Sequence, residues 1–152
     1  MRRSKANRAK ETLALLCRKF GISLVYLFGS QKDLGNDHLE GRPIRPLQGT
    51  DLDIGLVFRT MPEARMKAYG DIYAGLAEIF EPFSIDPVFL QETSHLFQFE
   101  AIRGHLVYAE SDEAVDPYED GVLRLASDCA FYAESFDREV MEALRDGYFQ
   151  VE

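Results

Sequence analysis

The chain has 152 residues, 46% of them hydrophobic, and a formal charge of -9, a length and apolar content that suit one compact domain over residues 1–152. No apolar run approaches the roughly 20 residues of a membrane span, and the start MRRSKANRAK leads into an amphipathic segment, so a soluble, cytoplasmic protein without membrane contact is expected. An acidic chain is also a poor candidate for gripping a nucleic-acid backbone, which takes Lys and Arg to release counterions.

The charge is uneven. Residues 1–19 hold seven Lys or Arg against one Glu, and residues 110–152 hold thirteen Asp or Glu against three Arg. Solvated ends account for this, as does complementary docking to a partner. Cys17 and Cys129 sit in helical apolar patterns far apart and read as core residues, neither a metal knuckle nor a disulfide.

In chain order, Leu13, Leu16, Cys17 and Phe20 recur at helical spacing before Gly21, which places a basic helix within residues 1–20. ISLVYLF is a continuous apolar run, a strand covered on both faces. Residues 31–49 are punctuated by Gly35, Gly41, Pro43, Pro46 and Gly49, so a short helix gives way to loop. A loop that long in a compact domain is usually functional or mobile.

DLDIGLVF alternates, with Leu52, Ile54, Leu56 and Phe58 on one face and Asp51, Asp53, Gly55 and Val57 on the other, as in a half-buried strand with an exposed polar end. Thr60-Met61-Pro62-Glu63 reads as a capping box opening a helix whose apolar stripe is Met66, Tyr69, Tyr73, Leu76 and Phe80. Gly70 and Gly75 weaken that helix or admit close packing. FSIDPVFL is a third strand, with Pro87 placing it at an edge or at its own start. TSHLFQFEAIRG forms a helix capped by Thr93 and closed by Gly104, and HLVYA a fourth strand. Asp116-Pro117-x-Glu119 opens a long last helix, about 116–146, whose stripe of Val122, Leu125, Cys129, Tyr132, Phe136, Val140 and Leu144 runs to Gly147.

Asp51 and Asp53, at i and i+2 on a strand, point the same way with alpha carbons about 6.5 to 7 Å apart, so both can face cations between them. Mg²⁺ takes oxygen ligands, keeps several waters and needs only a few carboxylates plus substrate phosphates, and a pair of such ions can clamp a phosphoryl displacement. Gly29-Ser30 supplies a complementary feature: a bare strand end where backbone N–H groups meet an anion, a hydroxyl donor, and a helix starting just beyond. Asp86, on the third strand among Phe83, Ile85, Val88 and Phe89, reads as a carboxylate whose burial calls for a cation or strong hydrogen bonds. Plainer readings stand beside each: solvated alternation for Asp51 and Asp53, a strand-ending turn for Gly29-Ser30, a turn with Pro87 for Asp86. His38, His95 and His105 pair with no suitable serine or cysteine and read as surface or helix-end residues. Tyr26, Tyr69, Tyr73, Tyr108 and Tyr132 read as core.

A strand ending in LFGS, then TDLDIGLVF, then the lone aspartate of IDPVFL, resembles the nucleotidyltransferase superfamily of DNA polymerase beta type. It resembles more closely the minimal nucleotidyltransferases (MNT), the antitoxin halves of HEPN/MNT toxin–antitoxin pairs. FQFEAIRGHLVYA is similar to the family's helix-then-strand ending, and the likeness spans roughly residues 22 to 145. The resemblance implies an α+β fold, a small mixed sheet of about four strands with helices packed on it, comprising a catalytic core at 22–109 and a long C-terminal helix. It also implies Mg²⁺-dependent transfer of AMP from ATP. Gly29 and Ser30 would hold the triphosphate, Asp51 and Asp53 would bind two Mg²⁺, and Asp86 would share the metal nearer the nucleophile and help activate the acceptor hydroxyl. In the antitoxins the acceptor is a tyrosine of the HEPN toxin, an RNase that modification silences.

Two departures bear on the substrate. The family commonly has about ten residues between its Gly-Ser and Asp-x-Asp, often beginning GSxARG, whereas 20 residues separate Ser30 from Asp51 and SQKDLG lacks that arginine. Lys32, Arg42 and Arg45 are the cations of the insertion that could replace it, if they are not simply solvated. Two rival functions remain at this level: an antitoxin of the same fold that neutralises by docking alone, and a transferase for a small molecule of aminoglycoside type, for which the chain looks short. Homo-oligomerisation is open.

Overall fold

The structure, a computed structural model, describes residues 4–145, with side chains described as far as Asp128. The expected stripe from Cys129 onward and the stop at Gly147 lie outside the described side chains and residues. Helix α1 (Lys5–Phe20) leads into strand β1 (Ile22–Phe28), short helix α2 (Lys32–Leu39), β2 (Leu52–Phe58), α3 (Arg65–Ile79) and β3 (Ile85–Phe89). A single 3-10 turn (Leu90–Glu92), α4 (His95–Ile102), β4 (His105–Ala109) and long α5 (Asp112–Arg145) complete the order. The four strands form one mixed sheet in the order β3-β2-β1-β4. Strand β1 is antiparallel to both neighbours, and β2 runs parallel to β3. Among the described residues no helix is long and apolar enough to cross a membrane.

Both sheet faces are covered, which is why β1 is buried at every position. On one face Val25, Leu27, Ile54, Leu56 and Phe89 pack against Leu13 and Cys17 of α1, Leu39 of α2 and Ile72 and Leu76 of α3. Burial pushes the Cys17 thiol up to about 12, leaving an unreactive core residue. On the other face Leu24, Tyr26, Phe28 and Val57 meet Leu90, Ala101 and the start of α5. There the Tyr26 hydroxyl donates to Glu119 at 2.7 Å, tying α5 to β1, and the Tyr118 hydroxyl donates to Gln98 at 2.7 Å, tying α5 to α4. Strand β2 is thus covered on both faces except at its polar end, because Leu90 lies directly against Gly55.

Capping follows local chemistry with three shifts. Ser4 caps α1, and Gly21 closes it at φ 69 with its N–H on the Cys17 carbonyl. Helix α3 begins at Arg65, without a side-chain cap, and the Thr60–Glu63 segment precedes it. Arg65 instead donates to the Pro62 carbonyl at 2.6 Å and pairs with Glu92. Ser94, not Thr93, caps α4 by accepting from Phe97 at 3.1 Å. Helix α5 starts at Asp112, so Pro117 falls in its second turn, while Asp112 and Glu113 place negative charge at the N-terminus.

The buried face of α3 also differs from the expected stripe. Ala68, Ile72, Leu76 and Ile79 face the core, while Met66 is 90% exposed and Tyr69 and Tyr73 stand partly in solvent. The small residues explain the choice: Gly75 lies against Leu16, where a Cβ would be 2.8 Å from Leu16 Cδ1, so α3 approaches α1 through its smallest side chains.

Candidate active site

The site forms where the first three strands end or begin together. Phe28 pairs with Asp53, and Asp53 pairs with Asp86. Register therefore sets the two aspartates side by side on the sheet face that carries α4 and α5. Asp51, one residue before β2, is exposed and points the same way as Asp53 by strand alternation. Directly after Phe28 the chain turns at Gly29 with φ 79, and a Cβ there would collide with the Asp53 carboxylate. Glycine is required twice over at this position, by the left-handed backbone and by the contact.

Burial differs from the sequence expectation in one respect. Asp86 is exposed, because Ile85 and Pro87 on either side turn to the opposite face, so desolvation does not demand a cation there. Asp53 carries the strain instead. Burial raises its carboxyl above the ordinary value, and the negative charges of Asp86 and then Asp51 raise it further. The two neighbours named by that electrostatic coupling are the other members of the expected triad.

As the side chains stand, no group of three His, Cys, Asp or Glu among the described residues encloses a metal ion. Mg²⁺ does not need one, since a few carboxylates, waters and substrate phosphates complete its octahedron. Hard oxygen donors whose charges repel one another, opening beside a bare glycine turn, are a donor set suited to divalent cations with a phosphate between them. Ser30 is exposed at the turn, and α2 starts two residues later at Lys32.

The turn is braced by a residue that composition and spacing do not reveal. Gln31 is 1% exposed, and its side-chain amide donates to the Thr50 carbonyl at 2.8 Å and the Thr50 hydroxyl at 2.9 Å. Its oxygen accepts the Leu47 N–H at 2.9 Å. The far end of the long 40–50 loop is thereby fastened to the Gly29-Ser30 turn, which fixes where Asp51 emerges. Gln31→Leu is expected to lower stability by about 2 kcal/mol, the usual cost of orphaning buried polar groups. Urea denaturation measures it, and a loss below about 0.5 kcal/mol would show that the loop is held by other contacts.

Two hollows flank the site. A cleft of about 250 Å³ beside Gly29 is lined by Phe28, Lys32, Glu100, Arg103 and Gly104. Beyond Asp86, a shallow groove of about 460 Å³ is walled by Met66, Tyr69, Pro87, Val88 and Phe89. Burial raises the Tyr69 hydroxyl, and the Asp86 charge raises it further. A larger hollow of about 520 Å³ involving Lys5, Arg8, Thr12 and His38 does not border the aspartates. His38 is structural there, with a ring nitrogen 2.8 Å from the Ile79 carbonyl and its ring against Phe80 and Phe83.

No known protein family and no curated protein matches the chain by sequence. In three dimensions the fold is similar to that of MNT antitoxins in solved toxin–antitoxin structures. A structure of a toxin–antitoxin complex with AMP-PNP matches with a TM-score of 0.63 at 15% identity, over 87% of this chain and 98% of that one. A mutant of the MntA–HpeT toxin–antitoxin, with two aspartates two positions apart changed to glutamate, matches at 0.63 and 14% identity over the same shares, 87% and 98%. A complex of tri-AMPylated Shewanella oneidensis HEPN toxin with MNT antitoxin matches at 0.61 and 14% identity, over 90% and 98% of the chains.

Proposed function

We propose that this chain is a Mg²⁺-dependent nucleotidyltransferase that moves AMP from ATP onto a tyrosine hydroxyl of a partner protein, a HEPN-type RNase toxin that it silences. The observation that carries the reading is the placement of Asp53 between Asp86 and the bare Gly29 turn, with Asp51 on the same side. The AMP-PNP complex, the AMPylated toxin and the doubly substituted aspartate pair among the structural relatives support it.

Asp51, Asp53 and Asp86 are the residues that would hold two Mg²⁺, and the ions would offset phosphate charge and polarise the reacting oxygens. Gly29 and Ser30 orient the triphosphate through backbone N–H groups and the hydroxyl. The acceptor oxygen forms a bond to the α-phosphorus, the bond from that phosphorus to the bridging oxygen breaks, and pyrophosphate departs. Asp86, exposed and on the edge strand, takes up the phenolic proton, and the apolar groove beside it receives the acceptor ring. Positioning and charge stabilisation carry the rate.

Mixing the chain with the toxin, ATP and Mg²⁺ and weighing the intact toxin tests the reading. Added AMP on the toxin is expected. A toxin silenced in a stable complex but unchanged in mass would replace transfer by docking.

A further inference from the structure

A triphosphate brought to three carboxylates needs fixed positive charge as well as metal, and the chain lacks the arginine that commonly follows Gly-Ser in the family it resembles. Among the insertion's cations, Arg42 is bonded to Asp37 at 2.7 Å, and neither Arg42 nor Arg45 lines the cleft beside Gly29. Lys32 does line it. It is joined from the other end of the domain by Arg103, the last residue before the glycine that leads into β4. Strand order makes the arrangement two-sided. β1 lies between β2 and β4, so its end at Phe28-Gly29 has Asp53 on one flank and, on the other, the cleft that Lys32 and Arg103 share with Glu100.

We propose that Lys32 and Arg103 form the cationic grip on the nucleotide's phosphate chain, holding it from the flank of Gly29 opposite the aspartates. The proposal rests on the nucleotidyltransferase reading. Both cations are free to turn to a ligand. Arg103 donates to Glu100 at 3.2 Å across an exposed pair, and its guanidinium sits 5.6 Å from the Phe99 ring, contacts that are weak in water. Asp33, in the first α2 turn, is turned to His105 at 2.7 Å and does not line the cleft; Glu100 does, so an anion must take Arg103 from that exposed carboxylate. Gly104 keeps the floor low, since a Cβ there would run into the Leu27 carbonyl. A planar guanidinium and a flexible ammonium can thus meet consecutive phosphates, one with a fixed fork and one as a point charge.

Calorimetric titration of the full chain with inorganic tripolyphosphate and with AMP-PNP, each with EDTA and with Mg²⁺, tests this. Lys32→Ala and Arg103→Ala are each expected to weaken metal-free tripolyphosphate binding at least about tenfold, the scale of a lost charge-assisted contact. Arg103→Lys should keep part of it, and Arg42→Ala should stay within about twofold of the parent because charge outside the cleft is screened. Asp51→Asn with Asp53→Asn should weaken only the Mg²⁺-dependent binding of AMP-PNP. Parent-like binding of both probes by both alanine variants overturns the grip and leaves the transferase reading standing. A parent chain that binds neither probe overturns both. Both side chains are at least partly in solvent, and circular dichroism confirms that the variants fold.

Discussion

Asp53→Asn is expected to lower AMP transfer by about 10³-fold or more while making the metal-free protein more resistant to heat. The loss follows because metal stabilisation of a transferring phosphoryl group is worth several kcal/mol. The gain in stability follows from the raised carboxyl. Burial and the charges of Asp86 and Asp51 make the folded protein bind the Asp53 proton more tightly than the unfolded chain does. The resulting penalty is absent below the unfolded value, about 3.9, grows as pH rises through the raised folded value, and is fully present at neutral pH. Asparagine removes it. Mg²⁺ should offset the same repulsion in the parent and raise its melting temperature, with a smaller effect on the variant. Thermal melts at pH 7 with and without Mg²⁺ check this, and a variant less stable than the metal-free parent would place the strain elsewhere.

Gly29→Ala should fold with a loss of about 1–2 kcal/mol, the cost of a left-handed backbone for a residue with a side chain. Its larger effect falls on chemistry. The new methyl group occupies the space of the Asp53 carboxylate, so Asp53 must swing away from Asp86 and the turn. Misplacement of a reacting group by about 1 Å can cost a hundredfold in rate, and a loss of that order is expected. Steady-state transfer assays alongside urea melts separate the two effects. Retained transfer would show that the aspartate does not work against the bare turn.

Much of the fold is legible in the sequence because buried strands announce themselves. ISLVYLF, DLDIGLVF and HLVYA become β1, β2 and β4 within a residue of their expected limits, and Pro87 sits on an edge strand as its missing N–H dictates. Helix starts are less legible, since a Pro following Asp fits the second turn of α5 as well as its first, and Thr60-Met61-Pro62-Glu63 satisfies a capping pattern without being a cap. The α3 face was hidden by size: hydrophobicity favours Met66 and Tyr69, but close helix contact favours Ala68 and Gly75.

At the site, residue types point to Asp51, Asp53 and Asp86, but only the parallel β2–β3 register puts Asp53 beside Asp86. That pairing leaves no local signature. Gln31 and Arg103 carry no signal of their own. One is a buried brace recognisable by its three hydrogen bonds, and the other is one arginine among many until the sheet order brings it to Gly29. The 31–49 insertion, unusual by length, is half accounted for by α2 and tied down at its far end by Gln31.

The most direct measurement of the central claim is the fate of labelled ATP. The chain, the proposed HEPN-type toxin and Mg²⁺ are incubated in parallel with ATP carrying the label on the α- or on the γ-phosphate, and the toxin is separated and counted. Label from the α-phosphate alone is expected on the partner, with γ-label released in pyrophosphate and both outcomes lost with Asp53→Asn. Label from the γ-phosphate on the partner, or α-label transferred unchanged by Asp53→Asn, would contradict a nucleotidyl transfer centred on these aspartates.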